Sequence, residues 1–214
     1  AGASLLRACE TCVQRFIAKP RSIDAQAVAA IESACFALMD YVARLLAGKS
    51  VSSLAMFPQY RAVQELAGAD RIHPADLWFH DWQWLPLPPD ERAVACQPDA
   101  DTRSAIEGRM LSIMRTPTPG AAHRMSQIFA GLGAGTDNLQ AATLWKLAAA
   151  MFEAQAAGLL SPDVFSKRVA SRLLAQLRIL ERGGSEISEP LARDLLFRSA
   201  PPASPGDGRR PPRL

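Results

Sequence analysis

Between Ser22 and Gly48 the apolar residues Ala27, Ile31, Ala34, Leu38, Tyr41 and Leu45 recur at heptad-like spacing. That period matches one face of an α-helix and neither face of a β-strand, so the segment predicts an amphipathic rod of about seven turns. Ser22 supplies an oxygen to cap its start, Asp24 suits the positive end of its dipole, and Gly48 ends it. The same grammar extends along the chain. Runs of period two are few and β-branched residues sparse, whereas Ala, Leu and Arg fill most windows. The fold class is therefore all-α, built as antiparallel helical bundles with short Gly/Pro/Ser connections.

A first helix covers residues 4–18 and stops before Lys19-Pro20, because the residue preceding a proline leaves the α region. Six prolines, Pro58, Pro74, Pro86, Pro88, Pro89 and Pro98, forbid a long helix between residues 57 and 98. Pro58 fits the first turn of a short helix ending near Gly68, and Pro74 that of another carrying Asp76, Leu77 and Trp78. Trp82, Trp84 and the stretch from Pro86 to Pro89 then run as an ordered, extended arm whose aromatic load docks it onto the helices. Trp78 and Trp82 share a face if the short helix reaches that far. Helical periodicity returns over residues 102–115, breaks at Pro117 and Pro119, and resumes over 121–130. Gly131, Gly133 and Gly135 read as a hinge before a helix capped by Thr136 or Asp137 and running through Ala157. Ser161-Pro162-Asp163 starts a further helix that lasts until Gly183-Gly184, and Ser188 starts a final one to Phe197. The expected organisation is N-terminal bundle helices over 1–56, a Trp/Pro-rich connecting segment over 57–100, a C-terminal helical bundle over 101–200 and a flexible Pro/Arg tether over 201–214.

A chain of 214 residues, 49% hydrophobic and 21% charged, can bury a sizeable core without bridges. Cys9, Cys12, Cys35 and Cys96 accordingly read as reduced thiols. The net charge of +3 falls largely on Arg209, Arg210 and Arg213 in the tail, where Asp207 offsets one of them. The body is left near neutral, without the basic footprint of a nucleic-acid binder. Charged residues interrupt every apolar region before the roughly 18 residues that a membrane span needs. The composition is of the cytosolic type, so a cytoplasmic location is expected, and the chain, which opens at Ala1 with no initiator Met and enters a helical pattern at once, reads as part of a longer polypeptide.

Cys9-x-x-Cys12 lacks a second ligand pair at zinc-site spacing, so two small buried helix residues are expected there. His73, Asp76 and His80 lie within eight residues and form a metal-ligand alternative. Pro74 keeps His73 off the helical face of Asp76, however, and the structural reading has Arg71, His73 and Asp76 satisfying one another. His123, beside Ala121, Ala122 and Arg124, raises phosphotransfer, in which an exposed imidazole is the nucleophile and Arg124 the cation for the phosphoryl oxygens. Ser126 and Gln127 stand where histidine phosphotransfer motifs carry lysine and glycine. The glycine run before Thr136 follows a helix, not a strand, and no lysine succeeds it, so it is no phosphate cradle. No residue pattern calls for catalysis, a cofactor or a metal.

The segment from Phe57 to Trp78, FPQYRAVQELAGADRIHPADLW, continuing to Trp82-Gln-Trp84, resembles the N-terminal region of ChpA/PilL-type chemosensory hybrid histidine kinases of type IV pili, to which FimL scaffold proteins are similar. The closing SEPLARDLLF from Ser188 to Phe197 resembles the end of that module. The resemblance implies a phosphotransfer-like helical region that acts as a noncatalytic interaction or scaffold module in signalling for twitching motility. The alternative is a phosphotransfer domain accepting phosphate on His123. Implied partners are proteins of the pilus chemosensory system, response regulators or scaffold proteins, with a second copy of the chain as a further option. Tyr60, Arg61, Arg71, His73, Asp76, Trp78, Trp82 and Trp84 are the partner-binding candidates.

Overall fold

The computed structural model describes residues 1–18, 23–78 and 82–199. These residues are helical or irregular, with no strand among them. They divide into two compact units, 1–78 and 82–199.

The first unit contains α1 (Gly2–Ala18), α2 (Ala25–Leu46) and α3 (Phe57–Ala67), with short 3-10 turns at Ser53–Met56 and Pro74–Asp76. Expected boundaries hold within two residues, and each has a local cause. The proposed cap Ser22 lies outside the described residues; Asp24 caps α2 by accepting the Ala27 amide at 2.7 Å. Gly48 takes φ 71° after α2 and Gly68 takes φ 63° after α3, a left-handed geometry that ends a helix at little cost only for glycine. The core gathers Leu5, Ala8 and Cys12 of α1, Ala34 of α2, Tyr60 and Val63 of α3, and Leu77. Arg15 of α1 donates to the Ala67 carbonyl at the end of α3. Only Ala27 and Ala34 of α2 are buried, although the helix is 22 residues long.

The second unit holds the arm and α4 (Ala100–Arg115), α5 (Pro119–Ala134), α6 (Leu139–Ala156), α7 (Val164–Glu181) and α8 (Glu189–Ser199). His123 meets Glu153 and Gly133 meets Ala142, so α5 and α6 run antiparallel. Between them Phe129 stacks on Trp145 at a centroid distance of 5.6 Å and on Phe152 at 5.4 Å. Arg103–Glu181 and Arg178–Glu107, both at 2.8 Å, set α4 antiparallel to α7. The buried Asp194 carboxylate pairs with Arg172, and the buried Gln176 bridges the Glu186 carbonyl and the Ser188 amide, so α8 folds back along α7. Asn138 caps α6 in place of the expected Thr136 or Asp137, and Asp163 caps α7 through the Ser166 amide at 2.8 Å.

The glycine run differs from expectation in an informative way. Gly131 and Gly133 lie inside α5 and Gly135 at its C-cap, so the helix continues through the predicted hinge. A Cβ at Gly131 would stand 2.5 Å from the Val94 carbonyl oxygen, and one at Gly135 would overlap the Cys96 carbonyl. On the other side, a Cβ at Gly133 would reach the Lys146 side chain at 3.2 Å. These glycines let the arm's backbone on one side and α6 on the other lie directly against α5. The Cys96 amide donates to the Gly131 carbonyl at 3.1 Å, Gln97 to the Gly135 carbonyl at 2.8 Å, and Lys146 to the Leu87 carbonyl at 2.8 Å. The ordered arm that the aromatic residues predicted is thus held by these backbone and side-chain hydrogen bonds as well as by Trp82 and Trp84.

Gly131→Ala and Gly135→Ala should each destabilise the second unit by about 1–3 kcal/mol through overpacking. Gly108→Ala, at an α4 site where nothing lies within 4 Å of an added Cβ, should stabilise by about 0.5–1 kcal/mol. Denaturant melts of the three variants check the contrast.

The ion pairs also dictate a response to acid. The Arg178 hydrogen bond, joined by Arg103, holds the Glu107 carboxyl below its ordinary range. Burial pulls Asp163 upward, but the Ser166 amide and hydroxyl together with Arg198 outweigh it and hold that carboxyl low. A depressed carboxyl contributes stability that is fully present above its unfolded pKa of about 4 and is lost as pH falls through the lower folded value. The unfolding midpoint should therefore drop below about pH 4, and the combined Glu107→Gln, Asp163→Asn variant should show a shallower decline in the same titration.

Candidate interaction site

The partner-binding candidates of the first unit converge on Asp76. Its carboxylate accepts from the Tyr60 hydroxyl at 3.1 Å and from the His73 amide at 3.2 Å, and it pairs with Arg71. Gln64 donates to the Tyr60 oxygen at 2.9 Å. His73 Nδ1 accepts the Ala75 amide at 3.1 Å, so His73 and Asp76 form a reciprocal capping box around the Pro74–Asp76 turn. Tyr60 and His73 are each 5% exposed. Burial pushes the Tyr60 phenol up, and the neighbouring Asp76 reinforces this against the Gln64 and Arg71 contributions. The mutual satisfaction of Arg71, His73 and Asp76 expected from the sequence is what the geometry displays. Arg61, paired with Glu65 at 2.7 Å, stands in solvent, and Trp78 is half-buried.

Trp82 and Trp84 belong to the second unit, where their rings meet edge to face at 5.0 Å and pack half-buried on its core. The eight candidates therefore divide between two units: Tyr60, Arg61, Arg71, His73, Asp76 and Trp78 in one, Trp82 and Trp84 in the other. His80, the third member of the metal alternative, lies outside the described residues. Among the described residues no group of three or more His, Cys, Asp and Glu side chains is placed to hold a metal ion.

His123 lies in the first turns of α5 with an exposed ring. Its Nδ1 stands 3.0 Å from a Glu153 carboxylate oxygen on α6, and its Nε2 stands 3.3 Å from the Gln127 amide nitrogen. A carboxylate at Nδ1 favours the proton there, and the Nε2 lone pair then accepts from the Gln127 amide, which must swing away before Nε2 can act as a nucleophile. Arg124 is exposed beside it, and its guanidinium lies 3.5 Å from the position of a Cβ on Gly120. Sequence reasoning named His123 and Arg124 but missed Glu153. Thirty residues separate the two partners, and only the antiparallel register of α5 and α6 brings them together. On the same unit a pocket of about 110 Å³ opens among Met110, Met114, Phe152, Lys167 and Ala170.

Residues 92–208, which include all of α4 to α8, match the family described as the FimL scaffold protein second domain. The chain belongs to the FimL scaffold family. The match covers more than half of the chain and begins within the arm, so the glycine slot and the His123–Glu153 pair both fall in this FimL scaffold domain. No curated protein and no solved structure matches significantly. No described helix is long and apolar enough to cross a membrane.

Removing the charge at the centre of the Asp76 network tests its structural weight. Asp76→Asn should cost about 1–2 kcal/mol by weakening the capping box and the Arg71 pair. Arg61→Ala should leave the melting curve unchanged, since an exposed pair contributes little.

Proposed function

We propose that the protein is a noncatalytic interaction module of a type IV pilus chemosensory system, holding signalling proteins together by surface contact within the cytoplasm. The observation that carries this reading is the scaffold-domain match over residues 92–208. The organisation of both units supports it: the polar groups that sequence analysis singled out in the first unit are consumed in mutual hydrogen bonds, and the helices of the second are fixed by ion pairs at their ends. Such rigidity suits a surface that must present one shape to a partner. Response regulators and other scaffold proteins of the system are the proposed partners, and Arg61, Trp78 and Trp84, which retain exposure, are the proposed contact residues of the original set.

A second reading has a specific observation in its favour, the exposed His123 oriented by Glu153. In it, Nε2 attacks the γ-phosphorus of ATP bound to a partner kinase, an N–P bond forms as the P–O bond to ADP breaks, and Arg124 neutralises the phosphoryl oxygens. The absence of a lysine at the next turn of α5 and the Gln127 amide that occupies Nε2 favour the scaffold over this relay.

One experiment separates the two. The full chain is incubated with a chemosensory histidine kinase, its response regulator and labelled ATP, then captured by an affinity tag. The scaffold reading expects co-capture of a signalling protein, weakened at least tenfold in the Arg61→Ala, Trp78→Ala, Trp84→Ala variant, with no label on the chain. Acid-labile, alkali-stable phosphate that is lost in His123→Ala would replace it with the relay.

A further inference from the structure

Helix α2 carries a second apolar stripe that its own unit does not cover. Ala27, Ile31, Ala34 and Leu38 face or border the core. Val28, Met39, Val42 and Leu46 share another line roughly a quarter turn away and stand in solvent, Met39 at 66% and Leu46 at 85% exposure. Helix α1 repeats the arrangement. Leu5, Ala8 and Cys12 are buried, whereas Leu6, Val13 and Ile17 line an exposed stripe, with Ile17 at 73%.

The two stripes lie on the same side of the unit. Gly2 of α1 abuts Leu38 of α2, its Cβ position 3.1 Å from the Leu38 methyl, while Arg15 on the opposite flank of α1 reaches the end of α3. On the helical wheel Leu6, Val13 and Ile17 follow Gly2 and lie away from Arg15, which places them beside α2 and away from α3. Leu38 is likewise next to the Val28–Leu46 line on α2. The pair α1 and α2 thus buries one face on α3 and offers the other to solvent.

We propose that this α1–α2 face is a dimerisation surface, occupied by the same face of a second copy of the chain. Area supports that occupant. Seven exposed side chains with roughly 100 Å² each offer on the order of 700 Å², close to the roughly 800 Å² each partner contributes to a standard interface and beyond the largest apolar patch of most monomers. Composition supports it too. A twofold contact must tolerate itself, so its centre cannot carry net charge; from Cys35 to Leu46 the stripe contains no Lys, Arg, Asp or Glu, and Arg44, off the stripe, is already paired with Asp40 at 2.8 Å. Glu10, between Leu6 and Val13, and Glu32, between Val28 and Cys35, stand exposed on the same lines, with Arg7 exposed beside Glu10, so the twofold axis falls on the charge-free stretch from Cys35 to Leu46 and these charges flank it. Two antiparallel helices meeting their twofold copies complete a four-helix layer of the kind that bundles use to close a core.

This inference does not rest on the scaffold reading, because it concerns the association of the chain with itself. Sedimentation equilibrium of the full chain across micromolar concentrations should give twice the 23.1 kDa of one chain. Two independent variants, Met39→Glu with Leu46→Glu on α2 and Ile17→Glu on α1, should each weaken the dimer by at least a hundredfold. Because the replaced side chains are exposed, helical content should persist. Leu159→Glu, at an exposed apolar residue of the second unit, should leave the dimer intact. A wild-type chain that stays monomeric, a dimer that survives both face variants, or a dimer broken by Leu159→Glu would each overturn the proposal.

Discussion

The packing of α5 against α6 is the constraint from which the rest of the second unit follows. Phe129 lies flat against both Trp145 and Phe152, with all three side chains withdrawn from water. Large rings stacked in parallel admit little sliding, so this trio fixes the helix register. Once the register is set, Gly133 must face Ala142 and Lys146, and His123 must face Glu153. The outer side of α5 then presents Gly131 and Gly135 one turn apart, and only a backbone with no intervening side chain fits there. The arm is the segment that takes this place, and Thr143 and Lys146 of α6 bind its carbonyls at Leu85 and Leu87.

Helices were legible in the sequence because their signals are local. A proline in the first turn, a carboxylate at the cap and a glycine after the last turn each act within four residues; Pro58 and Gly68 did so where expected, and Asp24, expected only to favour the dipole, is itself the cap of α2. The glycine run misled because glycine has two physical uses. Its freedom of φ suggests a hinge, yet Gly135 has φ −86°, which any residue adopts, and its value here is the missing Cβ. Nothing within the local window distinguishes the two uses. The approaching carbonyls of Val94 and Cys96 lie more than thirty residues away in sequence.

Candidate residues were legible for a similar reason and to a similar limit. His73-Pro-Ala-Asp76 encodes its own capping box, so its mutual satisfaction could be read from four letters. Glu153 could not be paired with His123 by spacing, since α5 and α6 are separate helices and any of several acidic residues fits the composition. The single Phe57-to-Trp84 segment that carried the resemblance proved to straddle two compact units, because aromatic content marks where a chain is buried without marking against what.

The two units solve the burial problem differently, and the difference bears on how a scaffold is built. The second encloses its large apolar residues, among them Trp145, Phe129, Phe152 and Met151, each at 2% exposure or less. The first, with three helices, cannot surround any one of them. A helix with two apolar stripes needs neighbours on both, and α2 has them on only one. Keeping Val28, Met39, Val42 and Leu46 apolar gives no stability to the isolated unit, since their exposure changes little on folding. Such residues lower the free energy only when something covers them. An apolar line of this length is what the proposed dimer face requires, with the stabilisation realised on assembly.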